Sequence, residues 1–75
     1  MKWRFKIGTL LEDQGRICIV SALLPMGCET MKLNTKMNWR DNYKLIYTNQ
    51  TTYIIGAAAL HRLVDQGRIN LIKIA

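Results

Sequence analysis

The sequence predicts a small, mostly β domain of five strands with one short helix near the C-terminus. Three observations predict it. Short runs rich in Ile, Val, Tyr and Thr recur along the chain, the residue types that fit a pleated, half-buried surface. Turn chemistry separates them at Gln14-Gly15, Pro25-Met26-Gly27, Thr48-Asn49-Gln50-Thr51 and Gln66-Gly67. One stretch near the C-terminus carries apolar residues at helical spacing, with Ala59, Leu60, Leu63 and Val64 on one stripe.

The chain has 75 residues, enough for a single domain spanning 1–75 and close to the smallest size that one hydrophobic core can hold together. Hydrophobic residues make up 49% against 21% charged, which excludes a disordered chain.

At the N-terminus, Lys2-Trp3-Arg4-Phe5-Lys6-Ile7 alternates strictly, so a strand there puts Trp3, Phe5 and Ile7 on the core and three cations in solvent. Gly8 allows a bend before Thr9-Leu10-Leu11 continues that strand. Gln14-Gly15 then turns the chain into Arg16–Leu24, a β-branched apolar run that reads as the central strand. Cys28 to Asn42 has no regular pattern: a short strand at Met31-Lys32-Leu33 and otherwise a long loop. Tyr43–Tyr47 is a strand with Tyr43, Leu45 and Tyr47 on one face, and Thr48–Thr51 a turn with Asn49 suited to positive φ.

Two readings compete for 52–65. A strand to Ile55 followed by a helix from about Ala57 to Val64 fits the cluster Tyr53-Ile54-Ile55-Gly56. The alternative is an α+β fold with one helix over 52–65, stopped by Gly67. The split reading is preferred, with Arg68–Ile74 as the last strand. Asp13-Gln14-Gly15-Arg16-Ile17 recurs as Asp65-Gln66-Gly67-Arg68-Ile69, and the simplest account is two strand-entry turns using the same residues.

Ile7-Gly8-Thr9-Leu10-Leu11-Glu12-Asp13 with Gly15-Arg16-Ile17-Cys18-Ile19-Val20 resembles the opening hairpin of SH3-like small barrels, which include KOW-type domains and small proteins of tailed bacteriophages. Tyr43–Asn49 with Tyr53-Ile54-Ile55 and Leu60 is similar to their later hairpin and helical turn, although Asn49-Gln50 stands where Asp-Gly is usual. The resemblance implies a barrel fold and, with it, a phage-derived protein in the cytoplasm of a bacterial host. Such barrels host many roles, so the likeness carries no activity.

Catalytic chemistry is not expected. His61 and Asp65 are one helical turn apart, but that spacing is met by any solvated pair on a helix face. Cys18 lies among Ile17, Ile19 and Val20 as a small hydrophobe, and Cys28 has no cation beside it to activate its thiol. Two cysteines build neither a disulfide framework nor a metal site, so no cofactor and no metal are expected. The apolar run ending at Met26 is too short to cross a bilayer, and the N-terminus has no leader-like apolar stretch.

The remaining feature is charge. Eleven Lys and Arg against five Asp and Glu give a net charge of +6, which favours anionic partners. Lys2, Arg4 and Lys6 form a basic row. Lys36, Trp39, Arg40 and Lys44 interleave cations with aromatics, as do surfaces that hold phosphates and stack bases. Two functions are therefore open. One is a non-enzymatic interaction or assembly module whose partner is a protein or a second copy of itself, motivated by the high apolar content. The other is a nucleic-acid-binding small barrel using those seven residues. No membrane and no small-molecule substrate is indicated.

Overall fold

The structure is a computed structural model that describes residues 3–31 and 38–75. Strands β1 (Leu10–Asp13), β2 (Arg16–Leu24), β3 (Asn42–Tyr47) and β4 (Thr52–Gly56) form an antiparallel meander. A helix, α1 (Ala57–Asp65), follows at once, and β5 (Ile69–Lys73) returns to pair antiparallel with β1. The sheet order is β4-β3-β2-β1-β5. The fold class is thus mostly β, with five strands and one helix near the C-terminus.

The β1–β2 turn is read directly from its residues. Asp13 pairs with Arg16, leaving Gln14 (φ 53°) and Gly15 (φ 81°) as a two-residue loop with both φ positive. That is the backbone of a type I′ turn, whose twist matches that of the flanking strands. β2 is central in the sheet, bonded to β1 on one side and β3 on the other. Its ladder with β3 slips between Val20 and Ala22. A bulge there lets a nine-residue strand bend around the core.

The core consists of Phe5, Leu11, Cys18, Val20, Tyr43, Leu45, Ile55, Ala57, Leu60 and Ile69. Ala59, Leu63 and Val64, from the expected helical stripe, pack against it from α1. The helix begins one residue after the last strand residue because Asp41 C=O accepts the Ala57 N–H at 2.8 Å, satisfying one donor of the first turn.

Several expectations are corrected. The expected N-terminal strand is not formed over Trp3 to Thr9, and Lys2 lies outside the described residues; regular pairing starts at Leu10. Thr9 N–H donates to Lys6 C=O at 3.1 Å across a turn with Gly8 at φ 98°, and this turn breaks the alternation. Phe5 is buried and Trp3 packs against the core as expected, but Ile7, just before the turn, is turned outward and 58% exposed. Met31 lies in a 3₁₀ turn (Glu29–Met31), not a strand; Lys32 and Leu33 are outside the described residues. In the β3–β4 turn the positive φ falls on Gln50, not Asn49. Asn49 instead uses its side chain, whose Oδ1 accepts the Thr51 N–H at 3.0 Å. A helix over 52–65 is excluded, since Thr52 to Gly56 is paired with β3 residue by residue.

Candidate functional site

Of the seven basic and aromatic positions expected to form a site, Lys2 and Lys36 lie outside the described residues. The others do not gather in one place. Trp39 and Arg40 stand together before β3, Trp39 79% exposed and Arg40 exposed, with the Arg40 side chain lying over Gly56 at the start of α1. A Cβ on Gly56 would come within 3.2 Å of Arg40 Nε, so the glycine leaves room for that side chain. Arg4 lies at the other end of the helix, its Nη1 2.8 Å from Asp65 Oδ1. Those ends are separated by nine residues, about 13 Å along a helix axis. Lys6 is exposed, and Lys44, between inward-facing Tyr43 and Leu45, faces out from the sheet. Tyr43, next to Lys44 in the chain, is fully buried.

That burial explains His61. Tyr43 Oη accepts the backbone N–H of Arg4 at 3.1 Å and of Phe5 at 3.3 Å. With both lone pairs engaged, its proton is left for His61 Nε2 at 2.7 Å, which must then be the acceptor of a neutral imidazole. The same burial, and then the Arg4 charge, hold the His61 pKa below its ordinary value, while Asp65 opposes the shift. Phe5 packs edge-on to His61 at 5.5 Å, and Trp3 edge-on to Tyr43 at 5.0 Å. His61 and Asp65 are therefore not a solvated pair: each binds a different group, and together they tie residues 3–5 to the sheet and helix. Neither is a free acid or base facing a cavity.

A groove of about 700 Å³ lies between β4 and β5, the two end strands of the sheet. Tyr53 and Ile55 of β4 line one side and Ile69 with Arg68 the other; Leu45 and Leu63 line it as well. Asp13, Gln14 and Arg16 reach it from the first turn. The two Asp-Gln-Gly-Arg-Ile segments thus meet at one site, because Asp13 pairs with Arg16 on one side and with Ile69 on the other. Sequence reasoning noted the echo and missed this meeting, which depends on β5 pairing with β1 across most of the chain. Tyr47 Oη donates to Asp13 Oδ2 at 2.8 Å. Burial, that carboxylate and nearby Cys18 push the Tyr47 pKa above its ordinary value. Burial likewise raises the Cys18 thiol, which makes it an inert core group.

The second feature is on the opposite, outward face. Leu10 pairs with Ile19, and Ile19 with Ile46, a row across β1, β2 and β3. Since Leu11, Cys18, Val20 and Leu45 face the core, these neighbours face out, and Ile17 is 42% and Ile19 38% exposed. A shallow hollow lined by Leu10, Ile17, Ile19, Ile46 and Thr48 marks the patch.

Among the described residues no group of three or more His, Cys, Asp or Glu is placed to hold a metal, and no helix is long and apolar enough to cross a membrane. No protein-family model matches the chain, and comparison with curated proteins and with solved structures gives no match either.

Proposed function

We propose that this domain is a non-enzymatic interaction module that associates with a second copy of itself through the outer face of β1, β2 and β3. The observation that carries the reading is the register of Leu10, Ile19 and Ile46, with Ile17 beside them. An antiparallel sheet with one solvated face ordinarily alternates apolar inside and polar outside. Here the alternation fails on the strands at the sheet's centre, which leaves contiguous apolar surface of the kind that marks association sites. The likeness to small barrel proteins of tailed phages, carried by the hairpin motifs alone, fits an assembly role in a bacterial cytoplasm.

Sedimentation equilibrium over a concentration series tests it. Reversible association that disappears in Ile19→Lys, with the circular dichroism spectrum unchanged, is the expected result. A monomer at every concentration counts against the reading.

Trp39 favours a second reading, nucleic-acid binding, because a tryptophan 79% exposed beside Arg40 offers a stacking face and a cation together. Fluorescence anisotropy with labelled single-stranded DNA and RNA checks this. Binding that weakens steeply with salt and is lost in Trp39→Ala supports it, and salt-independent or absent binding removes it.

A further inference from the structure

We infer that the groove between the β4 and β5 edges binds an extended acidic peptide, added as a strand along β4 with its carboxylates on Arg16 and Arg68. The inference goes beyond the self-association reading and uses a different surface.

Three observations converge. First, β4 and β5 are the two ends of the sheet order, so among the described residues each carries an unpaired edge. Tyr47 N–H donates to Thr51 C=O at 2.9 Å, and the alternation of an antiparallel ladder then aims the N–H and C=O of Thr52 and Ile54 at the open side. These groups are positioned to bond a further strand. Second, the groove beside that edge is apolar at its base, with Ile55 and Leu63, and Tyr53 stands at its rim 52% exposed. A strand laid there alternates its side chains into this groove and away from it.

Third, the charge is unbalanced towards cations. Arg16 and Arg68 both line the groove, both are exposed, and neither guanidinium has an ion pair among the described residues. The acidic group between them, Asp13, already accepts the Tyr47 hydroxyl. Guanidinium forks match carboxylates in geometry as well as in charge. The pattern of edge, apolar base and paired cations is met by an extended peptide that alternates apolar and acidic residues.

The test uses the intact chain and three labelled hexapeptides: alternating Val and Glu, alternating Val and Gln, and the Val-Glu peptide N-methylated at alternate residues. Binding is followed by fluorescence anisotropy and by amide chemical shifts. The Val-Glu peptide is expected to bind with shifts centred on Thr52, Tyr53, Ile54 and Ile69, and the Val-Gln peptide at least about tenfold more weakly. N-methylation is expected to abolish binding, since it removes ladder donors without touching the protein. Arg16→Glu with Arg68→Glu is expected to reverse the preference between the acidic peptide and its Lys counterpart. Because both arginines are exposed, the fold does not depend on them. Equal affinity for the Glu and Gln peptides, binding that survives N-methylation, or shifts confined to Ile17 and Ile19 each overturn the inference. So does a single-stranded oligonucleotide that displaces the peptide from the same residues with higher affinity, which would make the groove a nucleic-acid site. Ile19→Lys separates the two readings: it removes self-association and leaves peptide binding intact.

Discussion

The same five residues, Asp-Gln-Gly-Arg-Ile, occur twice and fold differently. At 13–17 they turn a hairpin: Gln14 and Gly15 both have positive φ, and Arg16 is already back in the ladder. At 65–69 they end a helix. Gln66 keeps a right-handed helical conformation (φ −82°), and only Gly67 is left-handed, at φ 76°. Gly67 N–H then bonds Val64 C=O at 3.1 Å and Arg68 N–H bonds Leu63 C=O at 3.0 Å, the paired bonds of a Schellman motif. Ile17 emerges outward at 42% exposure; Ile69 emerges inward at 3%. What differs is what precedes each copy. Leu10-Leu11-Glu12 is held in a strand, and Ala57 to Val64 is a helix with good formers and a buried face. A glycine with a free φ accommodates either exit, so the pentapeptide stops an element without choosing which one.

Substitutions at matching positions sharpen the contrast, and the largest difference is expected at the isoleucines. Ile69→Ala opens a hole in the core and should cost about 2–5 kcal/mol. Ile17→Ala should stay within about 0.5 kcal/mol, as for surface positions. Urea unfolding at low protein concentration measures both. Equal losses would mean that the two exits are not as different in burial as the structure has them.

The glutamines should differ in sign. Gln14→Gly relieves a side chain held in the left-handed region and should stabilise by about 1 kcal/mol. Gln66→Gly frees a residue that is already relaxed in the helical region, and should destabilise by about 0.5–1 kcal/mol. Thermal unfolding of the two variants side by side is enough to decide. A loss in both would show that the hairpin does not need two positive φ values.

The smallest effect is on acidification, and it comes from His61, one helical turn before the second copy. Asp65 sits beside His61, the only histidine of the chain. The folded pKa of His61 is lowered, so below about 6.5, the ordinary histidine value, the unfolded chain takes up more protons than the folded one. Stability should be full above that value and fall as the pH drops through the window down to the lowered folded pKa. In His61→Gln the fall over that window should vanish. Tyr47→Phe, at the first copy, should leave the profile unchanged because the raised Tyr47 titrates well above it. A fall that persists without His61 would place its origin in the carboxylates.

The elements were legible where local chemistry and tertiary environment agree. β2 was predicted residue for residue because nine consecutive positions favour a strand and Gln14-Gly15 and Pro25 bound it. Helix α1 was placed within one residue at its end, since Gly56 and Gly67 bracket its apolar stripe. The N-terminal alternation misled because the turn from Lys6 to Thr9, with Gly8 at positive φ, swings Ile7 outward, while Phe5, Thr9 and Leu11 stay buried. How the basic and aromatic residues are placed relative to one another was not legible either. Charge and aromaticity show that residues are polar or flat, but not which of them share a surface. Trp39 went out to solvent and Tyr43 went to the core, although they are aromatic residues only four positions apart.

The sequence alone determined that this chain is a small, mostly β domain with a tight first hairpin, a helix near the C-terminus and an inert Cys18. These follow from backbone preferences and spacing within a few residues, and no distant partner is needed to state them. Only the tertiary structure decided that β5 closes on β1, that both Asp-Gln-Gly-Arg-Ile segments face one groove, and that Ile17 and Ile19 are left uncovered. Those outcomes rest on pairings between residues more than fifty positions apart, Asp13 with Ile69 and Leu11 with Leu71. Spacing within a segment holds no information about them, because a strand's hydrogen-bonding edge accepts any partner that the rest of the chain brings to it.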